Sequence, residues 1–504
     1  MSITASLVAA ADGIAFGIPG GGPSLELADA IERAGGRFHT TRFEGAAALM
    51  AGAVGRLRGR AGLAVSIKGP GLANLASGLA TAWLEDLPVI AVTEAFGPRD
   101  GARMHKRLDH AGLVGGVVKG HAGLADAGAA ERLLVLASAE RPGPVLLDLA
   151  ETDARIAKVP ATAPRDLDAV LRAINAAKRP VVIAGALAAR LGLSKALDGL
   201  SIPVFSTAGA KGIVNETRSH AAGVYTGVGL ALAPESAVLA EADLVVGIGL
   251  RAREILGANF KIPIVNVDDI DDTAGFALAA RAAIADAARI IAALSARPGW
   301  GSDLVAASRL KMRQGLLVGP FLPAHAFTIV RKQLPRARLV LDTGFFCTVG
   351  EHMWDVEGPD LYLSSGQGRS MGAALPMAIA AVLHRPDAPT VLAIGDGGIG
   401  MFAAELALAA AERAPLLVLF MCDGTYASVR DRAVEKGLSQ RPLIVKQPDW
   451  TAVAAALGFT AARAADEAEV AAFVSRWKPD TGPAFLQIDF APEPYRVMTR
   501  ALRA

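Results

Sequence analysis

A chain of 504 residues with 52% apolar side chains is long enough for about three domains with sizeable cores, and it is too apolar to be disordered. Fifty-one basic and 49 acidic residues leave a formal net charge of +2, which argues against a nucleic-acid groove or an anionic membrane as principal partner and favours small molecules. Two cysteines, Cys347 and Cys422, exclude a disulfide framework, so a soluble protein of the reducing cytoplasm is expected; the N-terminus has no basic leader region, and no uninterrupted apolar run approaches the ~20 residues of a membrane span.

From Ala15 to Ala150 short apolar runs alternate with helical stretches. Phe16 to Gly22 reads as a glycine-rich turn after a first helix, and Leu25 to Ala34 as the next helix. Thr41-Arg42-Phe43-Glu44 ends a strand, and an Ala-rich helix runs from Gly45 to Arg58. Then come a strand at Leu63 to Ile67, the turn Gly69-Pro70-Gly71, a helix from Leu72 to Trp83 and a strand from Pro88 to Thr93. Such alternation predicts a parallel sheet covered on both faces. Glu44 stands where a strand hands over to an apolar helix, so partial burial is expected; a Glu in a first helical turn is also what the helix dipole favours. His105 and Lys106 fall on a loop, where such a pair is commonly solvated.

Thr152 to Asp168 lacks periodicity and reads as a linker. Strands follow at Val181 to Ala184, Pro203 to Ser206, Leu244 to Ile248 and Ile264 to Val267. Gly247-x-Gly249-x-x-Ala252 after a strand invites a dinucleotide reading, but short glycine patterns are common and two residues, Asp268 and Asp269, compete for the expected acidic position. A second linker is expected around Ala296 to Gly319. The last domain starts near Phe321, with a strand at Leu339 to Leu341 and a loop, SSGQGRSMGAALP, from Ser364 to Pro376 leading into a helix. Val391 to Ile394 is an apolar run halted by Gly395-Asp396-Gly397-Gly398; a helix from Met401 to Ala414 is expected, then Pro415, a strand from Leu416 to Cys422 and the turn Asp423-Gly424-Thr425. The strands of such a unit are parallel and end on one edge, so Asp396 and Asp423, twenty-seven positions apart, can stand side by side there. Two carboxylates beside glycine turns at a helix N-terminus suit Mg²⁺ bridging to a phosphate, although singly Asp396 could cap a helix and Asp423 open a turn.

The stretch from Gly395 to Arg430 resembles the diphosphate motif of thiamine-diphosphate (ThDP) enzymes, which begins GDG and ends some two dozen residues later in a metal-binding Asn. The resemblance makes Asp396 the first Mg²⁺ ligand, Asp423 the second and the Thr425 carbonyl the third, with Gly397, Gly398 and Tyr426 in the cofactor loop. Asp423 departs from the family Asn and adds a negative charge beside the diphosphate. Either a cation such as Arg430 offsets it, or metal and cofactor bind less tightly. RFEGAAALMAGAVGR and SIKGPGLANLASGLATAWLEDLPVIAVT, between Arg42 and Thr93, resemble the pyrimidine-binding domain of acetolactate synthases, and by that resemblance Glu44 hydrogen-bonds N1′ of the aminopyrimidine. The loop around Met371 resembles the one on which the V-shaped cofactor rests. Met371 would be the apolar wedge between the rings, its N–H and the Arg369 carbonyl binding the pyrimidine edge; a core Met is the plainer reading. Gly21, His105 and Lys106 fall where relatives contact substrate.

The resemblance implies three doubly wound α/β domains: 1–155 binding the pyrimidine, 170–298 central and Rossmann-like, and 320–504 binding the diphosphate. The central domain holds FAD in acetolactate synthases proper, so FAD is possible but not the leading expectation. A homodimer or tetramer is implied, with Glu44 of one subunit reaching the Asp396 site of another. The expected reaction on a 2-oxo acid is decarboxylation to an enamine followed by carboligation, as in acetolactate synthase. The alternatives are a simple decarboxylase like benzoylformate decarboxylase, whose motif the segment from Asp423 to Arg430 most resembles, and a cofactor-binding protein without activity.

Overall fold

Runs of Val, Ile, Leu and Ala buried on both sides occur in three stretches of the chain, and each stretch closes into its own sheet. The computed structural model describes residues 2–97, 105–152, 155–156, 162, 165–257 and 260–503. The first sheet contains strands Ile14–Ile18, Arg37–Thr40, Gly62–Ser66, Val89–Thr93, Gly120–Ala122, Pro144–Asp148 and Arg155–Ile156. They lie in the order second, first, third, fourth, sixth, fifth, seventh, and all pairings are parallel except that of the last strand. The third sheet, with strands Arg338–Leu341, Tyr362–Ser364, Thr390–Gly395, Leu416–Cys422, Thr460–Ala464 and Ala484–Asp489, has the order second, first, third, fourth, sixth, fifth. The two outer sheets therefore share one topology over six strands. The central sheet runs through Pro180–Ala184, Val204–Ser206, Ala221–Val224, Leu244–Ile248, Ile264–Val267 and Leu278–Ala282 in the order third, second, first, fourth, fifth, sixth, the dinucleotide-fold order. The expected α/β class with three doubly wound parallel sheets is what the chain forms.

The outer domains meet through alanine-rich helices. Glu44–Arg58 packs on both Pro70–Leu84 and Ala374–His384, and one apolar core runs through all three. Close approach needs glycine at Gly78, where a Cβ would overlap the Gly45 carbonyl oxygen. This seam fixes the first turn of Glu44–Arg58 against the third domain.

Three expectations need correction. Phe16 to Ile18 belongs to a strand, and the turn begins at Pro19. The second linker contains a helix, Ser302–Leu316, whose buried Val305, Ser308, Met312 and Leu316 recur at helical spacing; the interleaved charges of Arg309, Lys311 and Arg313 hide that stripe. No helix starts at Met401: the chain turns through Phe402, takes a short 3₁₀ turn at Ala403–Glu405, and is α-helical only over Leu406–Ala411. Gly397, Gly398 and Gly400 delay the helix, so no helix N-terminus abuts Asp396.

A polar seam joins the central and third domains. The buried His352 sits among Lys211, Arg309 and Arg313, with Asp355 the opposing charge, and its Nε2 has no partner. Burial first and those cations second push its pKa down to about 3 from the usual 6.5. Because the folded value is depressed, the unfolded chain takes up the proton first as pH falls. Stability present above pH 6.5 is therefore lost toward pH 3, at up to about 1.4 kcal/mol per pH unit. Melting temperatures of wild type and His352→Asn, measured from pH 7 to 4, are expected to converge as the medium is acidified; a constant difference would refute this.

Candidate active site

Strands Thr390–Gly395 and Leu416–Cys422 are adjacent and parallel, with Gly395 opposite Met421, so both chains leave the sheet at the same level. Asp396 and Asp423 are the next residues on that edge, and they converge. The Asp423 N–H donates to Asp396 Oδ2 at 2.9 Å, while the Thr425 N–H and hydroxyl donate to Asp423 Oδ1 at 2.9 and 3.0 Å. Burial and then the facing Asp396 push the Asp423 pKa up to about 6, and burial raises that of Asp396 as well. Both border a cavity of about 670 Å³, together with Arg369, Met371, Gly397, Thr425 and Tyr426. Two carboxylates with a neighbouring peptide carbonyl are hard oxygen donors that suit Mg²⁺. Met371 projects into the cavity with 37% of its surface exposed, so it is not a core residue. A Cβ on Gly397 would press on the Tyr426 ring and Met371 Sδ, and one on Gly398 would overlap the Asp342 carboxylate. These glycines are therefore demanded by the protein's own packing. The residues present fit a magnesium diphosphate.

Four further residues support the site. Gln447 donates to the Asp396 carbonyl and Oδ1 at 3.0 and 3.1 Å, and is itself fixed by the Trp450 indole N–H at 2.6 Å. Asp342, fully buried and pushed up to about 7 by desolvation, accepts from the Gly372 and Ala374 N–H groups and so anchors the turn after Met371. Glu85 of the first domain holds the start of the same loop, accepting from the Ser365 hydroxyl and the Gly368 and Gln367 N–H groups at 2.9, 2.7 and 3.2 Å. Glu405 accepts from the Arg42 and Phe43 N–H groups at 2.9 and 3.0 Å, satisfying orphan donors at the start of the Glu44 helix. Gln447→Ala is expected to weaken Mg²⁺-dependent cofactor binding roughly 10- to 100-fold, the usual effect of losing a group that orients a ligand. Titration of intrinsic fluorescence with ThDP at fixed Mg²⁺ measures it; an unchanged midpoint would refute it.

Glu44 is buried at the carboxyl edge of the first sheet, where Asn74 donates to its Oε2 at 2.9 Å. It does not border the cavity that holds Asp396 in the same chain. Gly21 is exposed on the neighbouring turn, with no atom within 4 Å of where its Cβ would stand, and His105 and Lys106 are exposed on a turn of the same domain. None of these three reaches the cavity. Arg430 does not offset Asp423: its guanidinium is bonded to Gln440 and Glu493 at 2.9 and 2.8 Å. Arg369 has a left-handed backbone, φ +50°, and its guanidinium acts on the buried Glu351 and Cys347.

The switch point of the central sheet is closed upon itself. Glu254 Oε2 accepts from the Ala186 N–H and the Thr207 hydroxyl at 2.7 and 2.6 Å, and Arg251 makes paired bonds to Asp268 at 2.8 and 3.2 Å. A carboxylate thus stands where a dinucleotide's pyrophosphate would meet backbone N–H groups, and these residues do not fit FAD in that crevice. No helix among the described residues is long and apolar enough to cross a membrane.

Two outer sheets share one topology, one with a carboxylate pair at its edge and the other with a buried glutamate, which is the layout of a two-domain cofactor enzyme. Residues 2–110, 167–294 and 342–488 match the thiamine pyrophosphate enzyme N-terminal TPP binding domain, central domain and C-terminal TPP binding domain, respectively. The chain is 27% identical to a probable 2-ketoarginine decarboxylase of Pseudomonas aeruginosa, covering 88% of this chain and 85% of that one. It is likewise 27% identical to an acetolactate synthase of Bacillus subtilis, over 94% and 90%, and 26% identical to a probable acetolactate synthase large subunit of Methanococcus aeolicus, over 82% and 79%. The chain belongs to the thiamine-diphosphate-dependent enzymes, and to their acetolactate synthase-like kind.

Proposed function

We propose that this protein is a Mg²⁺-dependent ThDP enzyme that decarboxylates a 2-oxo acid and joins the remainder to a second carbonyl, in a site completed by two subunits. The observation that carries this reading is the separation within one chain: Asp396, Asp423 and Met371 border one cavity, and Glu44 stands on another domain's edge. When bound, ThDP supplies the electron sink for CO₂ loss and a nucleophilic carbon. Asp396, Asp423 and the Thr425 carbonyl would hold its metal, and Met371 with the Arg369 carbonyl would receive the pyrimidine. Glu44 of the partner subunit would hold a proton toward the pyrimidine ring nitrogen, a task that burial and the Asn74 hydrogen bond equip it for. The apolar wall of the cavity, including Phe346, Val349 and Leu230, excludes water and so favours carbon–carbon bond formation over protonation. A simple decarboxylase is the second reading, favoured by the likeness to the ketoarginine enzyme.

Protein incubated with ThDP, Mg²⁺ and a panel of 2-oxo acids is expected to release CO₂ and yield a 2-hydroxyketone or a 2-hydroxy-3-oxo acid. Free aldehyde alone would favour the second reading, and absence of CO₂ across the panel would overturn both.

A further inference from the structure

The carboxyl edge of the first sheet carries a polar assembly that the reaction scheme leaves unused. Glu94 follows strand Val89–Thr93 and is buried. Its Oε1 accepts from the Ser24 hydroxyl at 2.6 Å and the Gly22 N–H at 3.2 Å, and its Oε2 accepts from Lys68 Nζ at 2.7 Å. Ser24 Oγ in turn accepts from the Gly20 N–H at 2.8 Å. A Cβ on Gly20 would stand 2.8 Å from Glu94 Oε1, so the glycine turn exists in a form that lets the carboxylate in. The ammonium group of Lys68 is also 5.2 Å from the centre of the Phe96 ring. A buried carboxylate, a hydroxyl and an aromatic face thus hold one lysine head in place.

Lys68 lies at the same carboxyl edge of the first sheet as Glu44. Lys68 opens the turn Lys68-Gly69-Pro70-Gly71; a Cβ on Gly71 would lie 3.5 Å from Glu44 Oε1, and one on Gly69 would overlap the Lys106 carbonyl oxygen. The side chain of Lys68 keeps 21% of its surface exposed, while that of Glu94 keeps 4%. Above the neighbouring Gly21 there is open space. Among the described residues of this edge, Asp148 is engaged by His110, His121 and Thr93, and Asp109 by the Gly112 N–H at the start of its helix. The exposed Lys106 adds to the same side of the charge balance.

Resting on the function proposed above, we propose that Lys68 is the specificity-determining residue of this site and that the 2-oxo acid it admits carries a second anionic group, held by the Lys68 ammonium while Glu94 fixes that ammonium in place. A cationic side chain is disfavoured because both oxygens of Glu94 are already bonded and a lysine stands between them and the opening. An ammonium has three donors, and Glu94 uses one.

The test compares oxaloacetate, 2-oxoglutarate and 2-oxoadipate, each against the acid whose distal carboxylate is replaced by an isopropyl group, with protein loaded with ThDP and Mg²⁺. Wild type is expected to prefer at least one diacid over its isostere. In K68M the ratio of kcat/KM for that diacid over its isostere is expected to fall about 10- to 100-fold, the effect of one lost charge-assisted hydrogen bond, chiefly through KM. K68R should retain much of the preference, and the melting temperature of the loaded protein reports whether K68M is folded. A KM effect confined to the charged substrate is not what a merely structural ion pair would give. A wild-type preference for every isostere, or a ratio that K68M leaves within twofold, would overturn the assignment of charge and leave the general function standing. Absence of CO₂ release from any 2-oxo acid, charged or neutral, would overturn the function and this inference with it.

Discussion

Glu44→Gln is expected to lower turnover roughly 10²- to 10⁴-fold while cofactor affinity changes little, the range for removing a positioned proton-transfer group. Glutamine keeps the volume, and its amide oxygen can still accept from Asn74, so neither the helix start nor the Glu405 cap above it is disturbed. What disappears is the ionisable proton. Initial rates with a responsive 2-oxo acid, alongside ThDP titration by fluorescence, separate the two effects. Full activity in Glu44→Gln would remove the residue from the mechanism.

The same variant tests whether the site spans two subunits. Mixing Glu44→Gln with Asp396→Ala protein, under conditions that allow exchange, produces hybrids in which a cross-subunit arrangement leaves one site with both defects and one with neither. Activity is then expected to recover to about a quarter of wild type, because half the random dimers are hybrids and half their sites intact. If both residues served one chain's own site, every site in the mixture would stay defective and no activity would return.

How far the sequence discloses this arrangement depends on whether a feature is periodic or local. Doubly buried strands such as Leu416–Cys422 are continuous apolar runs, and a parallel alternation of them with helices fixes which residues share an edge; Asp396 and Asp423 are legible for that reason. Strands Ala221–Val224, Leu278–Ala282 and Thr460–Ala464 are not, because alanines and a glycine give them no strand-like signal and their sheet neighbours supply it. Gln447 reaches Asp396 from a stretch without regular structure, and nothing in its surroundings marks it. Glu85 did have a signal. It closes the helix Pro70–Leu84, where the dipole disfavours a carboxylate, and a side chain placed against that gradient has another task, here the loop that presents Met371. Glu405 reads as one more acidic position near a helix, and only the packing of two domains shows it capping the segment that carries Glu44.

Asp423→Asn is expected to act in opposite directions on metal and cofactor. With Mg²⁺ alone, losing one of two carboxylates weakens the attraction for a divalent ion, while Asp396, still oriented by Gln447, keeps some of it. With ThDP present the balance changes, because the diphosphate brings more negative charge than the metal neutralises, and a carboxylate at about 4 Å from a phosphate oxygen costs roughly 4 kcal/mol per charge pair at an effective dielectric constant near 20. At saturating Mg²⁺ the attraction of the carboxylate to the metal is present before and after ThDP binds, so the binding step feels the repulsion, and Arg430, committed to Gln440 and Glu493, contributes no direct contact. The amide oxygen can still ligate the metal and accept from the Thr425 N–H, as Asp423 Oδ1 does now. ThDP at saturating Mg²⁺ is therefore expected to bind about tenfold more tightly to the variant, and Mg²⁺ without ThDP more weakly, a difference of roughly 1.4 kcal/mol for the cofactor. Calorimetric titration of each ligand separately decides it. Weaker binding of both would mean that the second carboxylate is a net support for the cofactor, with its repulsion of the diphosphate outweighed by its hold on the metal.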